Sequence, residues 1–145
     1  MLRQLLVGGG ISVINIAIHA FVMTIVVRVA QRAGARTESH SVLILIVVMI
    51  PTVTVLMIAH ALEVFVWSLA YSIVEAAPAN SNLIYFAFVN YTTLGYGDVV
   101  PVERWRLLGP MTAMNGVLLF GWSTAVIFEV LRKALERLEI SNETR

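Results

Sequence analysis

Three long apolar stretches, separated by polar and charged connections, set the pattern of this chain. Residues 4–27 carry no formal charge, about 24 residues or roughly 36 Å as a helix, enough to cross a bilayer. A second stretch begins near residue 41 and stays apolar to about residue 71, interrupted by Pro51, His60 and Glu63. It exceeds a perpendicular span, so tilt, a kink at Pro51 or projection beyond the bilayer is expected. The third occupies residues 107–128, about 22 residues and one further crossing. Between the second and third lies something shorter. Pro78-Ala79-Asn80-Ser81-Asn82 reads as a loop ending in helix-capping residues. Residues 83–91 are then apolar and aromatic, but only about three turns long, half a membrane thickness.

After this half-helix comes Tyr91-Thr92-Thr93-Leu94-Gly95-Tyr96-Gly97-Asp98, followed by a return through Val99-Val100-Pro101. Glycines at alternate positions adopt positive φ at little cost, so successive carbonyls can turn to one side of an extended strip. Non-helical backbone at membrane depth requires burial in protein or a water-filled path. Half-helix, strip and return loop therefore predict a re-entrant pore loop.

Composition changes the picture in two ways. Charged residues make up 13% and hydrophobic ones 59% of 145, with mean hydropathy +0.84; a soluble domain carries roughly twice that charged fraction, so most of the surface is expected to face lipid. The net charge of +1 implies no nucleic-acid partner, and the lack of cysteine excludes disulfides and thiolate metal sites. A zinc-hydrolase reading needs His-Glu-x-x-His, and the segment around His60 has a single histidine. The first stretch is too long for a signal-peptide core and has no small-x-small cleavage site before Arg28, so a retained helix is expected. Arg28, Arg32 and Arg36 crowd the first connection, and Arg132, Lys133 and Arg137 follow the third span. The positive-inside rule puts both in the cytoplasm and the pore loop outside, with Arg3 dissenting. The arginine row reads as a topology signal, with anionic-lipid contact as the alternative.

The strip Thr93-Leu94-Gly95-Tyr96-Gly97-Asp98 closely resembles the selectivity filter of potassium channels, usually Thr-Val-Gly-Tyr-Gly-Asp, with one aliphatic change. The resemblance implies an all-α membrane fold with three transmembrane helices, a re-entrant pore helix and a filter. It covers about residues 41–131: outer helix 41–76, pore helix 82–92, filter 93–98 and inner helix 105–131. Residues 1–40 form an extra helix and connection, and 132–145 a short amphipathic tail. By resemblance, the carbonyls of Thr93, Leu94, Gly95 and Tyr96, with the Thr93 hydroxyl, coordinate K+ as permeant ion. Gly97 turns the strip away, and Asp98 sits at the outer mouth. The family arranges four such strips around an axis, so by resemblance the single strip here implies a homotetramer, expected in the inner (plasma) membrane. No enzyme activity and no cofactor are implied. The alternatives are a weakly selective cation channel and a non-conducting sensor or accessory subunit.

The filter's expected support departs from the family. Tyr85 and Phe86 stand where many members place tryptophans, and Val89 stands where some bacterial members have glutamate. Tyr85 can donate to Asp98, whereas Phe86 can only pack and Val89 has no donor. Thr92 ends the pore helix, whose negative dipole end would face the ion path. His60 and Glu63 lie on one face of the second helix, roughly 12–17 Å into the membrane, where ionisable groups are costly. Two readings stay open: a hydrogen-bonded pair stabilising helix packing, or a brace behind the filter that makes conduction pH-sensitive through His60. In the first span, Ser12, Asn15 and His19 form a stripe expected to pack on the second helix. That span has no arginine row, so voltage sensing by the usual means is not expected. In the third, Gly109, Ala113 and Gly116 form a small-residue row. Gly116 lies near the family's hinge glycine and Gly121 is its rival; packing alone is the other reading of both.

Overall fold

The computed structural model describes residues 1–35 and 42–143, whose regular elements are helices, with no strand among them. Helix α1 spans Leu2–Ala35, α2 Val42–Val74, α3 Leu83–Tyr91 and α4 Leu108–Glu143, with a 3-10 turn at Glu103–Trp105 before α4. Three spans, Leu2–Val29, Leu45–Val74 and Glu103–Glu136, are long and apolar enough to cross a membrane. Large side chains such as Phe21, Met57, Ile73 and Phe128 stand more than 60% exposed. In water such a surface would drive aggregation; on a membrane protein it is the lipid- or subunit-facing side.

Lipid tails are as apolar as leucine, so burial alone does not hold these helices together; close packing and polar contacts between them do. An aromatic core of Trp67, Tyr71, Phe86, Tyr91, Trp105 and Leu108 joins α2, α3 and the start of α4. Toward the other end, Met23, Val26 and Leu56 form a wholly apolar layer with Val22, Val55, Val126 and Ile127. Gly116 marks the closest approach. A Cβ there would fall 2.0 Å from the Tyr91 carbonyl oxygen, so only glycine lets α4 lie against the end of α3.

Helix α2 continues through Pro51. It ends where Glu75 turns left-handed at φ 52 and the Ala76 amide closes onto the Tyr71 carbonyl. The return loop is tied back there by the Val102 amide on the Ala76 carbonyl, 2.8 Å. Asn82 caps α3, its side chain accepting from the Tyr85 amide at 3.1 Å. The first helix is fastened at its N-terminal end: the Leu107 amide donates to Gln4 Oε1 at 2.8 Å, and the Arg3 guanidinium lies 4.9 Å from the centre of the Trp105 ring. That end of α1 therefore sits on the pore-loop side. Trp105 is 3% exposed and belongs to the core, with the Arg3 guanidinium over its ring.

Helix α4 runs unbroken into the amphipathic tail. Glu129 pairs with Arg132 and Lys133 at 2.9 and 3.0 Å, on an exposed face where such pairs add little. Arg28 is exposed. The Arg32 side chain and Arg36 lie outside the described residues, as does the side chain of Leu138 in the tail.

Candidate functional site

The pore-loop strip leaves α3 through three backbone bonds: Thr92 N–H to Phe88 O, Thr93 N–H to Asn90 O, and Gly95 N–H to Val89 O at 3.2 Å. Val89, which has no side-chain donor, thus supports the strip through its carbonyl. Beyond this point every second residue is left-handed, with φ of 61 at Thr93, 58 at Gly95 and 77 at Gly97. Two of these are glycines, for which the conformation is easy; Thr93 is β-branched, for which it is strained by roughly 1–3 kcal/mol. Such strain persists only where surrounding contacts impose it. Among the described residues no hydrogen bond ends on a main-chain carbonyl from Thr93 to Gly97. The strip is also uncovered within one chain, with Leu94 54% and Tyr96 66% exposed.

At the outer end Tyr85 Oη donates to Asp98 Oδ2 at 2.7 Å. This bond to an anion favours the neutral phenol and pushes Tyr85 above its ordinary value of 10.0. The contact therefore holds at neutral pH and is lost as pH rises through the raised value. Asp98→Asn is expected to lower the midpoint of one tyrosine in an ultraviolet tyrosinate titration; an unchanged curve would mean the bond does not form in solution. Phe86 is buried against Tyr71, ring centres 4.8 Å apart, and only packs. Thr92 turns its hydroxyl back to the Phe88 carbonyl at 2.8 Å.

Behind the strip lies a polar cluster drawn from all four helices. Glu63 Oε1 meets His19 Nδ1 of α1 at 2.7 Å, and Oε2 meets His60 Nδ1 at 3.0 Å. Oε2 also accepts from Tyr91 Oη at the end of α3, and Tyr91 Oη is 2.9 Å from His60 Nδ1. The other nitrogens of both rings converge on Ser123 Oγ of α4, 2.9 Å from His60 Nε2 and 3.3 Å from His19 Nε2. Glu63 and His19 are fully buried. His60 and Glu63 thus contact the pore helix two residues before Thr93 and do not reach Tyr96, whose hydroxyl has no partner among the described residues.

One helical turn toward the pore loop is a second polar layer. Asn15 Nδ2 donates to the Glu63 carbonyl at 3.2 Å and to Asn115 Oδ1 at 3.1 Å, and Asn115 Oδ1 also accepts from Trp67 Nε1 at 3.0 Å. Beyond it Tyr71 Oη and Thr112 Oγ1 are 2.5 Å apart. Of the first-span stripe, Asn15 and His19 pack on α2 and α4, whereas Ser12 bonds only back to the Gly8 carbonyl. Ser123 and Tyr91 were not legible as members of the cluster. A serine and a tyrosine in apolar segments carry no signal until the helices are in place. Gly121, unlike Gly116, faces open space.

Three helices long and apolar enough to cross a membrane, packed around a nine-residue helix and the strip that follows it, define a multi-pass membrane protein. Residues 43–133 match the family model described as ion channel, and the chain belongs to that ion channel family. Comparisons with curated proteins and with solved structures give no match.

Proposed function

We propose that the chain is the subunit of a homotetrameric, potassium-selective channel whose filter is Thr93-Leu94-Gly95-Tyr96-Gly97. The observation that carries this reading is the alternation of left-handed residues at Thr93, Gly95 and Gly97 with carbonyls that bond nothing within the chain. Free backbone acceptors at membrane depth require a partner. Four strips around an axis give each other that partner in the form of a dehydrated K+, coordinated by the carbonyls of Thr93, Leu94, Gly95 and Tyr96. The exposure of Leu94 and Tyr96 in a single chain is what subunit assembly would cover. The pore loop faces outward and the C-terminus the cytoplasm of a cell's inner (plasma) membrane, from the excess of arginine and lysine after the first and third spans.

A second reading, a pliable and weakly selective filter, is favoured by the Tyr96 hydroxyl having no partner among the described residues and by Phe86 and Val89 offering no side-chain donors. Reversal potentials in proteoliposomes under opposed K+ and Na+ gradients separate the two. The potassium reading expects a reversal near the K+ equilibrium potential and block by barium. A reversal near zero supports the pliable filter, and no flux from a verified tetramer rules out both.

A further inference from the structure

The cluster behind the filter contains more hydrogen-bonding atoms than a simple brace needs, and its protons can be counted. Take Glu63 as a carboxylate accepting from Tyr91, His19 Nδ1–H and His60 Nδ1–H. Both Nε2 atoms then face Ser123 Oγ, which has one proton to give. Two neutral rings leave one nitrogen lone pair facing oxygen with no hydrogen between. One added proton resolves this: the hydroxyl accepts from the protonated ring and donates to the other. The same total also satisfies every atom if the proton sits on Glu63, between Oε1 and His19 Nδ1. In either arrangement the cluster is electrically neutral. Removing the proton leaves a net charge of −1 and an unpaired nitrogen, and adding another leaves +1, in a place where uncompensated charge is expensive.

We propose that His19, His60, Glu63, Tyr91 and Ser123 form a single-proton binding site, completed by the first helix, whose occupancy sets how firmly the end of the pore helix is held. The inference rests on the channel reading and adds its regulation. The site belongs to the group, not to one histidine, so its titration is a property of the coupled set. Among the described residues no other titratable side chain contacts the set: α1 contributes His19, α2 His60 and Glu63, α3 Tyr91, and α4 Ser123 with the Phe120 and Trp122 rings against the imidazoles. A divalent transition metal is the other occupant this donor set suggests, since ligand-type atoms of His19, His60 and Glu63 lie within 4.8 Å of one another. The two rings, however, address different carboxylate oxygens at hydrogen-bonding distance, which suits shared protons better than one ion.

Proton supply has a side. Toward the pore loop further polar side chains follow, Asn15, Asn115 and Trp67 and then Tyr71 and Thr112, with Asn15 bonded to the Glu63 main-chain carbonyl and not to the side chains of the cluster. Toward the opposite face it is closed by Met23, Val26 and Leu56. The polar side of the site is therefore the pore-loop side, and the His60 side chain is itself 14% exposed; exchange from that side is part of the proposal.

Two readouts on the reconstituted full chain test this. Imidazole nitrogen NMR between about pH 5 and about pH 9 is expected to show His19 and His60 titrating together. The His60 signal should shift in His19→Gln and in Ser123→Ala, the second removing only a hydroxyl in case the first does not fold. K+ flux should fall on leaving the neutral state, about tenfold per pH unit beyond the midpoint for a single proton, and should follow pH on the pore-loop side. Rings that titrate independently, a flux flat in pH while the rings change, or dependence on the opposite face alone would each overturn the proposal and leave the channel reading intact. Absence of flux at every pH overturns the channel reading instead, and coupled rings would still support the shared-proton site.

Discussion

Gly116→Ala is expected to be the most damaging single methyl group in the protein. The new Cβ would lie 2.0 Å from the Tyr91 carbonyl oxygen and 3.0 Å from its carbon, both backbone atoms. A flexible side chain could swing aside, as Met111 would from a Cβ at Gly8, but a helix terminus cannot. Helix α4 must move off α3, and overpacking of this kind costs about 3 kcal/mol or more. The expected result is a large fall in Tm and, for the tetramer proposed above, its loss on size exclusion in detergent. Gly121→Ala is the internal control: it meets open space and gains helix propensity of up to about 1 kcal/mol. Equal behaviour of the two variants would show that the close approach at Gly116 is not made. The glycine's spacer role is thus sufficient to explain it at that position, whether or not α4 also bends there.

Glu63→Ala is the second. Its carboxylate is the common acceptor for His19, His60 and Tyr91, which come from three helices. Removing it strands several buried donors at once, a loss of about 3–5 kcal/mol on the scale of broken buried pairs. Glu63→Gln keeps one acceptor oxygen and should fall between wild type and alanine in a detergent thermal melt followed by tryptophan fluorescence. A melt of Glu63→Ala within a degree or two of wild type would show that the four-helix junction is held by apolar packing alone.

The sequence made much of this legible, for identifiable reasons. Uninterrupted apolar runs announce spans because no other structure hides that much backbone in lipid. The half-length segment after Asn82 is readable because an asparagine cap and a three-turn limit coincide. The alternate glycines at 95 and 97 expose the strip's conformation, yet the left-handed Thr93 was invisible, since threonine does not signal positive φ. For the ionisable residues in the spans, their cost flagged His60 and Glu63, and helical spacing flagged Asn15 and His19. What spacing could not give was the height at which α1 meets α2. That depends on the Gln4–Leu107 bond and the Arg3–Trp105 stack at the far end, set by residues with no pattern of their own. Once that height is fixed, His19 lands on Glu63, and the His60–Glu63 pair bonds both the first helix and Tyr91 at the end of α3.

The first helix lies wholly outside the 43–133 segment that matches the family, yet it satisfies a carboxylate inside that segment. The boundary drawn by sequence similarity is therefore not a boundary along which the molecule can be cut. A pore excised at residue 43 would present Glu63 to hydrocarbon on the face that His19 and Asn15 now cover. A chimera that exchanges the first helix would inherit the same fault unless both residues travel with it. Glu63 and His19 constrain each other's replacement, so in this protein the helix that looks like an addition and the pore it was added to can change only as a unit.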